Sequence, residues 1–319
     1  MTSRRQFLKQ TTAAGASALL LARCATLTRT RAPADPWSAL PDILSRIRAP
    51  QFPDRVFDVT RYGAVAGGSF DCTSAFAKAI AACNAAGGGR VVVPAGRFLA
   101  GPIHLRSNVE LHLEGGATIA FDRDPNKYLP QVFTRWEGVE LMNYSPFIYA
   151  FEQQNIAITG DGLLDGQADC EHWWPWKGFS GDSRSVNAFD PIITRQCGAT
   201  KSSPQLAART RLIEMMERGV PVAQRIFGNG DYLRPNFIQP YRCRNVLIEG
   251  VTIINSPMWE VHPVLCTNVI VRSVKINSHG PNNDGCDPES CRDVLIENCE
   301  FDTGDDCIAI KSGRNADGR

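Results

Sequence analysis

The segments NVLIEGVTIINS (residues 245–256), NVIVRSVKINSH (268–279) and DVLIENCEFDTG (293–304) decide the fold of this chain. Each begins with Asn or Asp and continues with apolar residues at alternate positions, and their first residues are 23 and 25 residues apart. A regular period of about 20 to 50 residues is typical of repeat proteins. Because the apolar period is two rather than 3.6, each unit is predicted to consist of short strands and not of a helix pair.

Two earlier segments, NVELHLEGGATI (108–119) and NIAITGDGLLDG (155–166), follow the same pattern. The sequence therefore predicts an all-β solenoid, in which each coil stacks its strands on the next. We expect the Asn side chains at equivalent positions to form a ladder. We also expect four cysteines to stack inside the coils: Cys243, Cys266, Cys291 and Cys299.

A single short helix is predicted before the first repeat, in DCTSAFAKAIAACNAAGGG (71–89). Its apolar residues recur at helical spacing, Thr73 or Ser74 is the expected N-cap, and the glycines at 87–89 end it. A solenoid needs such a cap, because an uncovered end exposes strand edges and the apolar core.

The N-terminus reads SRRQFLK (3–9), followed by an apolar stretch (13–22) too short to span a bilayer. This pattern is typical of a twin-arginine export signal. We expect residues 1–31 to be the signal peptide and 32–50 to be a linker. Export places the expected product in the periplasm or outside the cell, with no stable membrane partner beyond the export machinery; a lipid anchor at Cys24 stays open.

Composition excludes some partners. Lys and Arg number 34 against 33 Asp and Glu, so the molecule has no strong field for nucleic acid or an anionic membrane. The eleven Cys lack the paired CxxC spacing of a zinc or redox site, and no cofactor is expected. Disulfides are compatible with an oxidising compartment, and we expect a monomer.

The motifs NNDGCD (282–287) and GDDCIAIKSG (304–313) carry the candidate chemistry. Asp305 and Asp306 follow Asp284 by 21 and 22 residues, close to one repeat, so the three are predicted to stack on neighbouring coils roughly 4.8 Å apart. Like charges at this distance raise one another's pKa values, which suits a general acid. From spacing alone, catalysis, turn structure and calcium binding all stay open.

These motifs resemble the signature of family 28 glycoside hydrolases, the polygalacturonases and their relatives, and the resemblance runs from Val56 to the end of the chain. It implies a right-handed parallel β-helix over residues 51–319, with an N-terminal capping helix. It also implies inverting hydrolysis of α-1,4-galacturonosidic bonds in pectic polysaccharide or oligogalacturonide, without a metal. By this resemblance Asp305 is the general acid, and Asp284 and Asp306 hold and deprotonate water.

Five further residues are candidate substrate contacts: Asn282, Trp259, His262, Lys311 and Arg314. For His262, within SPMWEVHP (256–263), a groove contact and a buried structural role are both open. Lys311 and Arg314 follow the aspartates and either meet an anionic sugar or are solvated turn charges.

The repeat is interrupted by an insert at about residues 166–242, which contains HWWPWKG (172–178) and a predicted helix from about 204 to 218. Long insertions in compact domains are often functional. Two interpretations of the tryptophans stay open: a lid that stacks on sugar rings, or anchors that fix the insert to the solenoid. A lid at one end of the groove favours exo action.

The family pattern continues one coil later with Gly-His-Gly and Arg-x-Lys, and the chain stops at Arg319 before either. C-terminal coils are therefore expected to be absent, and the 319-residue form is expected to hydrolyse pectin poorly or not at all. The alternatives are a rhamnogalacturonan hydrolase, a calcium-dependent β-helix polysaccharide lyase, and a non-catalytic carbohydrate-binding solenoid.

Overall fold

The computed structural model describes residues 35–178, 197 and 203–319, so the predicted signal peptide lies outside the described residues. Residues 44–319 form one compact unit, and residues 35–43 belong to a separate one. The predicted linker contains a one-turn 3-10 helix (Pro36–Ala39) and helix α1 (Leu40–Arg46), so part of it is helical. Within the described residues, no helix has the length and apolar character needed to cross a membrane.

Parallel strands make up most of the compact unit. In chain order the strands are β1 Val56–Asp58, β2 Gly89–Val93, β3 Gly96–Ala100, β4 Ile103–His104, β5 Val109–Leu113, β6 Ala117–Phe121, β7 Val132–Trp136, β8 Val139–Asn143, β9 Ile148–Phe151, β10 Gln154–Gly160, β11 Leu163–Asp165, β12 Ile238–Tyr241, β13 Arg244–Glu249, β14 Thr252–Ile254, β15 Thr267–Arg272, β16 Lys275–Ser278, β17 Arg292–Glu297 and β18 Glu300–Thr303. The remaining α-helices of the described residues are α2 Thr73–Ala85, α3 Trp174–Lys177, α4 Gln205–Glu217 and α5 Asn315–Gly318.

The strands form three parallel sheets that run along the stack. Their orders are β1-β2-β5-β10-β13-β15-β17, β18-β16-β14-β11-β6-β3 and β12-β9-β4. Successive coils therefore add one strand to each of the larger sheets, and the core lies between them. The predicted parallel β-helix is confirmed.

Helix α2 covers the first coil, as predicted, and buries a face that includes Phe76 and Ile80. Its cap differs from the prediction of Thr73 or Ser74. The N-cap position is Cys72, and the carboxylate of Asp71 accepts the backbone N–H of Thr73 at 3.0 Å. Asp71 also pairs with Leu99 of β3, so this contact with the sheet fixes the helix start earlier than local propensity suggests.

The predicted asparagine ladder is confirmed. Asn155 donates to Asn108 at 3.0 Å, Asn245 to Asn155 at 2.7 Å, and Asn268 to Asn245 at 2.8 Å. All four residues have φ between 53° and 64°, a left-handed conformation that Asn tolerates better than most residues. In this ladder the asparagine side-chain amides hydrogen-bond one another at the turn where each coil enters the seven-stranded sheet.

The cysteine column is confirmed for three of the four predicted residues. The backbone N–H of Cys243 donates to the thiol of Cys266, and that of Cys266 donates to the thiol of Cys291, each at 3.4 Å. Cys299 lies elsewhere in the coil, where its thiol donates to the carbonyl of Glu297. Separately, Cys170 and Cys197 form a disulfide.

Two excursions leave the solenoid, and only one of them was predicted. The predicted insert ends at β12 rather than at residue 242, because Ile238–Tyr241 pairs with β9 as part of the third sheet. The second excursion lies between β6 and β9 and contains the antiparallel hairpin β7–β8. Its two-residue turn, Glu137 and Gly138, has φ values of 42° and 82°, as a tight hairpin turn requires.

The tryptophans of the insert act mainly as anchors. Trp173 and Trp174 are buried in the main core, and the indole N–H of Trp174 donates to the carbonyl of Ser256 at 2.8 Å. Trp176 is half-buried and packs edge-on to Tyr232. The anchoring interpretation therefore holds for Trp173 and Trp174, which are too buried to form an open sugar-stacking surface.

We predict that Asn245→Ala lowers the free energy of unfolding by roughly 2–4 kcal/mol. The substitution removes two ladder hydrogen bonds, each worth about 0.5–1.5 kcal/mol, and places alanine in a left-handed conformation that costs it about 1 kcal/mol. Asn245→Gly loses the same hydrogen bonds but accepts the positive φ, so its loss should be smaller. Urea denaturation of the two variants measures this, and unchanged stability in both would show that the ladder contributes nothing.

Candidate active site

Two neighbouring coils bring the three predicted aspartates together. The N–H of Gly285 donates to the carbonyl of Asp306 at 2.9 Å, and Cys286 pairs with Ile308, so Asp284 lies beside Asp306 in the coil register. One carboxylate oxygen from each of Asp284, Asp305 and Asp306 lies within 4.8 Å of one from the other two. The predicted convergence is confirmed.

Asp284 is the buried member of the group, with 3% of its surface exposed. Its Oδ2 accepts a hydrogen bond from Nζ of Lys311 at 3.1 Å, and its Oδ1 has no hydrogen-bond partner among the described residues. Burial raises the pKa of Asp284 to about 7, with the negative charge of Asp305 adding to the rise and Lys311 opposing it. The sequence predicts a raised pKa from repulsion between the aspartates, whereas burial is the larger cause of the raised pKa of Asp284.

Asp305 and Asp306 are exposed, and a ligand can reach them. Asp305 accepts hydrogen bonds from the amide of Asn282 at 3.3 Å and from the backbone N–H of Asp306 at 3.0 Å. Asn282 is itself held by Arg234, a fully buried residue whose Nη2 donates to Asn282 Oδ1 at 2.8 Å. The orientation of Asp305 therefore depends on a buried arginine from the insert.

Lys311 neutralises buried carboxylates. Its Nζ lies 3.1 Å from Asp284 Oδ2, 3.6 Å from Asp287 Oδ1 and 4.0 Å from the centroid of the Trp259 ring. Burial raises the pKa of Asp287 to about 9, with Asp284 adding to the rise. The ammonium group thus lies beside two buried carboxyl groups and over an aromatic ring. Neither interpretation of Lys311 from the sequence, a sugar contact or a solvated turn charge, includes this role.

His262 was wrongly predicted to contact substrate. Its side chain is 0% exposed, with Nε2 at 2.8 Å from Glu289 Oε2 and Nδ1 at 3.0 Å from the amides of Asn236 and Gln239. Burial lowers the pKa of His262. Its neighbour Val261 lies in the main core, whereas His262 lies under the hairpin β7–β8, because Asn236 and Gln239 bond both His262 and the carbonyl of Arg135. The ring of His262 packs edge-on against Trp259, which lines the pocket.

A pocket is lined by Asp284 and Asp305 but not by Asp306, and we name it the catalytic pocket. Its walls include four of the five predicted substrate contacts: Trp259, Asn282, Lys311 and Arg314. They also include three residues that the sequence did not reveal: Glu137, Gly138 and Glu289. Nε of Arg314 donates to the carbonyl of Glu137 at 3.1 Å. The hairpin tip was missed because it is distant in sequence, although Gly138 between two alternating apolar segments is a hairpin signal.

The same three aspartates are a group that could hold a cation. Asp284 Oδ2, however, already receives the ammonium of Lys311, and a cation bound there would be repelled by it. The donor set therefore favours proton transfer over calcium binding.

Comparison with known proteins agrees with this site. The model of glycosyl hydrolases family 28 matches residues 227–317, which include all three aspartates. A solved exopolygalacturonase from Thermotoga maritima is similar with 54% identity and a TM-score of 0.80, over 88% of this chain and 60% of that chain. The C-terminal part of the chain, residues 227–317, is similar to glycoside hydrolase family 28.

Curated members of the family are more distant. A probable polygalacturonase from Vitis vinifera is 28% identical over 263 residues, which cover 79% of this chain and 43% of the relative. An exo-poly-alpha-D-galacturonosidase from Dickeya chrysanthemi is 28% identical over 82% of this chain and 43% of its own length. The present chain thus spans less than half the length of these two relatives.

We predict that Lys311→Met raises the pKa of Asp284 above about 7, because Lys311 is the cation that opposes the effect of burial. Titration of the Asp284 carboxyl by ¹³C NMR measures the shift. Lys275→Met, at an exposed position on β16, is the control and should leave the Asp284 pKa unchanged. A lower or unchanged Asp284 pKa in Lys311→Met would contradict the assigned role.

Proposed function

We propose that the protein hydrolyses α-1,4-galacturonosidic bonds of pectin or polygalacturonate and acts from chain ends. The observation that carries the proposal is the meeting of Asp284, Asp305 and Asp306 on two adjacent coils, with one of the three buried. The match of residues 227–317 to the model of glycosyl hydrolases family 28 supports the reaction class. Exo action is supported by the similarity to proteins whose names describe exo-acting polygalacturonases.

In the proposed mechanism Asp305 is the general acid. It is exposed, and Asn282 holds its carboxyl group, so it can donate its proton to the leaving glycosidic oxygen. Asp284 and Asp306 hold the attacking water and accept its proton. Oδ1 of Asp284, which lacks a partner among the described residues, is the acceptor for this water. Because a base must be ionised, Asp284 is effective at or above a pH of about 7.

Inversion at the anomeric carbon follows from direct attack by this water. The carboxylate oxygens lie within 4.8 Å of one another, closer than the about 6.5–9.5 Å between carboxyl groups typical of inverting glycosidases and nearer the about 5–5.5 Å of retaining ones. We attribute the short distance to Asp284 and Asp306, which bind one water together from adjacent coils. In an enzyme with a single base, the water must fit between that base and the acid, which requires a larger distance.

Export to the periplasm or the cell exterior belongs to the same proposal. The twin-arginine pattern at residues 3–9 supports it, and so does the disulfide between Cys170 and Cys197, since disulfides persist in oxidising compartments. A polymeric cell-wall substrate is accessible there.

We predict that Asp305→Asn lowers kcat on polygalacturonate by at least about 100-fold with little change in KM, because it removes the proton donor. The assay measures the reducing ends that the intact protein releases from polygalacturonate. Asp302→Asn is the control: Asp302 is exposed on β18, pairs with His279, and does not line the pocket. Its activity should stay within twofold.

The products discriminate between the candidate functions. Hydrolysis with inversion gives the β-anomer first in a ¹H NMR time course, and exo action gives short products from the start. An unsaturated product whose formation stops on chelation would contradict hydrolysis and indicate a calcium-dependent lyase. Full activity in Asp305→Asn would contradict its role as the acid.

A further inference from the structure

Trp259 lines the catalytic pocket but is almost entirely buried, with 6% of its surface exposed. It belongs to an apolar cluster that also contains Trp136 and Leu141 of the hairpin and Met216 of helix α4. Stacking on a sugar ring requires an indole with one open face. The packing of Trp259 therefore argues against the sugar contact for which the sequence makes it a candidate.

The ammonium group of Lys311 occupies a face of the Trp259 ring. Its Nζ lies 4.0 Å from the ring centroid and 3.1 Å from Oδ2 of Asp284. An ammonium group over an indole face is attracted by the electrons of the ring, and the attraction is stronger where water is excluded. The side chain of Lys311 is 22% exposed, so this contact is largely shielded from water. Trp259 and Asp284 thus hold the same ammonium group.

The ring of Trp259 is itself held in place. The ring of His262 packs edge-on against it, with the two centroids 4.9 Å apart. Nε2 of His262 lies 2.8 Å from Oε2 of Glu289, and its Nδ1 lies 3.0 Å from the amide nitrogens of Asn236 and Gln239. His262 and these three partners are buried, so the imidazole is a fixed support for the indole.

Lys311 needs such a support if its charge is to act at one place. Lysine carries its charge on a flexible chain, and its ammonium group is strongly hydrated. Without the indole, the ammonium group of Lys311 would be freer to turn toward solvent. Electrostatic attraction falls with distance and with hydration, so Lys311 would then oppose the effect of burial on Asp284 less. The position of the Trp259 ring is thus linked to the charge state of Asp284.

The other titratable groups around Asp284 are acids. The groups that interact with it come from its own coil and from the coils on both sides, and they are Glu260, Asp287, Asp305, Asp306 and Lys311. Lys311 is the cation of this set. A displacement of its ammonium group is therefore not compensated by another member of the set.

We propose that Trp259 is a positioning residue: its indole holds the ammonium group of Lys311 beside Asp284 and does not stack on the sugar. The inference rests on the proposed function, because it concerns the site in which Asp284 acts as a base. It replaces the interpretation of Trp259 as a substrate contact, and it gives the contact between Trp259 and His262 a role in the site.

A double-mutant cycle in the full chain tests this link, with Trp259→Leu and Lys311→Met as the two substitutions. The measured quantity is the pKa of Asp284, from ¹³C NMR of its carboxyl group. With Lys311 present, Trp259→Leu should raise this pKa, so that the ionised fraction of Asp284 at pH 6 falls at least about twofold. In the Lys311→Met background, Trp259→Leu should leave the pKa unchanged or lower it, because the remaining effect is easier access of water to Asp284.

Two further variants separate the indole face from general packing. Trp259→Phe keeps an aromatic face and should raise the pKa of Asp284 less than Trp259→Leu does. Met216→Ala is the control: Met216 is buried in the same apolar cluster and does not line the catalytic pocket, so the variant should lose stability without a change in this pKa. Thermal unfolding shows which variants are folded. If Trp259→Leu does not fold, Trp259→Phe replaces it in both backgrounds.

Equal pKa shifts on Trp259→Leu in the two backgrounds would overturn the inference. A pKa of Asp284 that does not respond to Trp259→Leu, or that responds equally to Met216→Ala, would also overturn it. Stacking on the sugar gives another contradicting result: trigalacturonate binding, measured by calorimetry, falls by the same factor on Trp259→Leu with and without Lys311.

The pKa measurement does not depend on turnover, so failure of the proposed function is distinguishable. It appears as coupling between Trp259 and Lys311 together with no cleavage of polygalacturonate by the unsubstituted protein. Cleavage without this coupling leaves the proposed function standing and removes the inference.

Discussion

The register of hydrogen bonds between successive coils is the constraint on which the site depends. Val261 pairs with Cys286, and Cys286 pairs with Ile308, so each coil repeats its backbone positions on the next. This register aligns Asp284 with Asp306 and brings Asp305 beside them. Because side chains alternate between the two faces of a strand, a shift of one residue would turn Asp284 away from the other two carboxylates.

Burial and compensation then decide the charge state of each carboxyl group. Burial raises the pKa values of Asp284 and Asp287, and the single ammonium of Lys311 does not offset it. At Glu289 burial acts in the same direction, but His262 and Arg135 outweigh it and lower its pKa. The two results follow from the number of partners: Glu289 has two hydrogen-bond partners of its own, Arg135 and His262, whereas Asp284 and Asp287 share Lys311.

Much of the solenoid could be predicted because its signals are local and repeated. The period of the strands, the asparagine ladder and the one-coil separation of the aspartates are all visible in the sequence. The wrong prediction for His262 has a physical cause: Val261 faces the core, so His262 faces outward, but the hairpin β7–β8 covers it. The hairpin is distant in sequence, so the repeat does not show that this outer position is buried.

The parts of the site that come from outside the repeat could not be predicted in the same way. Glu137 lies at the tip of a hairpin, and Arg234 and Arg209 lie in the insert, so their approach to the aspartates is set by tertiary packing. No local pattern relates an arginine at 234 to an asparagine at 282. These long-range contacts orient Asp305 through Asn282 and hold Glu137 at the wall of the pocket.

The central claim is that stacking of the coils buries Asp284 and thereby raises its pKa to about 7, so that this base ionises only near neutral pH. The most direct measurement is the free energy of unfolding of the protein and of Asp284→Asn as a function of pH. Because the folded pKa of about 7 lies above the model value of 3.8, the contribution of Asp284 to stability is fully present below about pH 4 and is lost as the pH rises through 7. We predict that the stability of the unsubstituted protein relative to Asp284→Asn falls over this range. A difference that stays constant or increases with pH would contradict the claim.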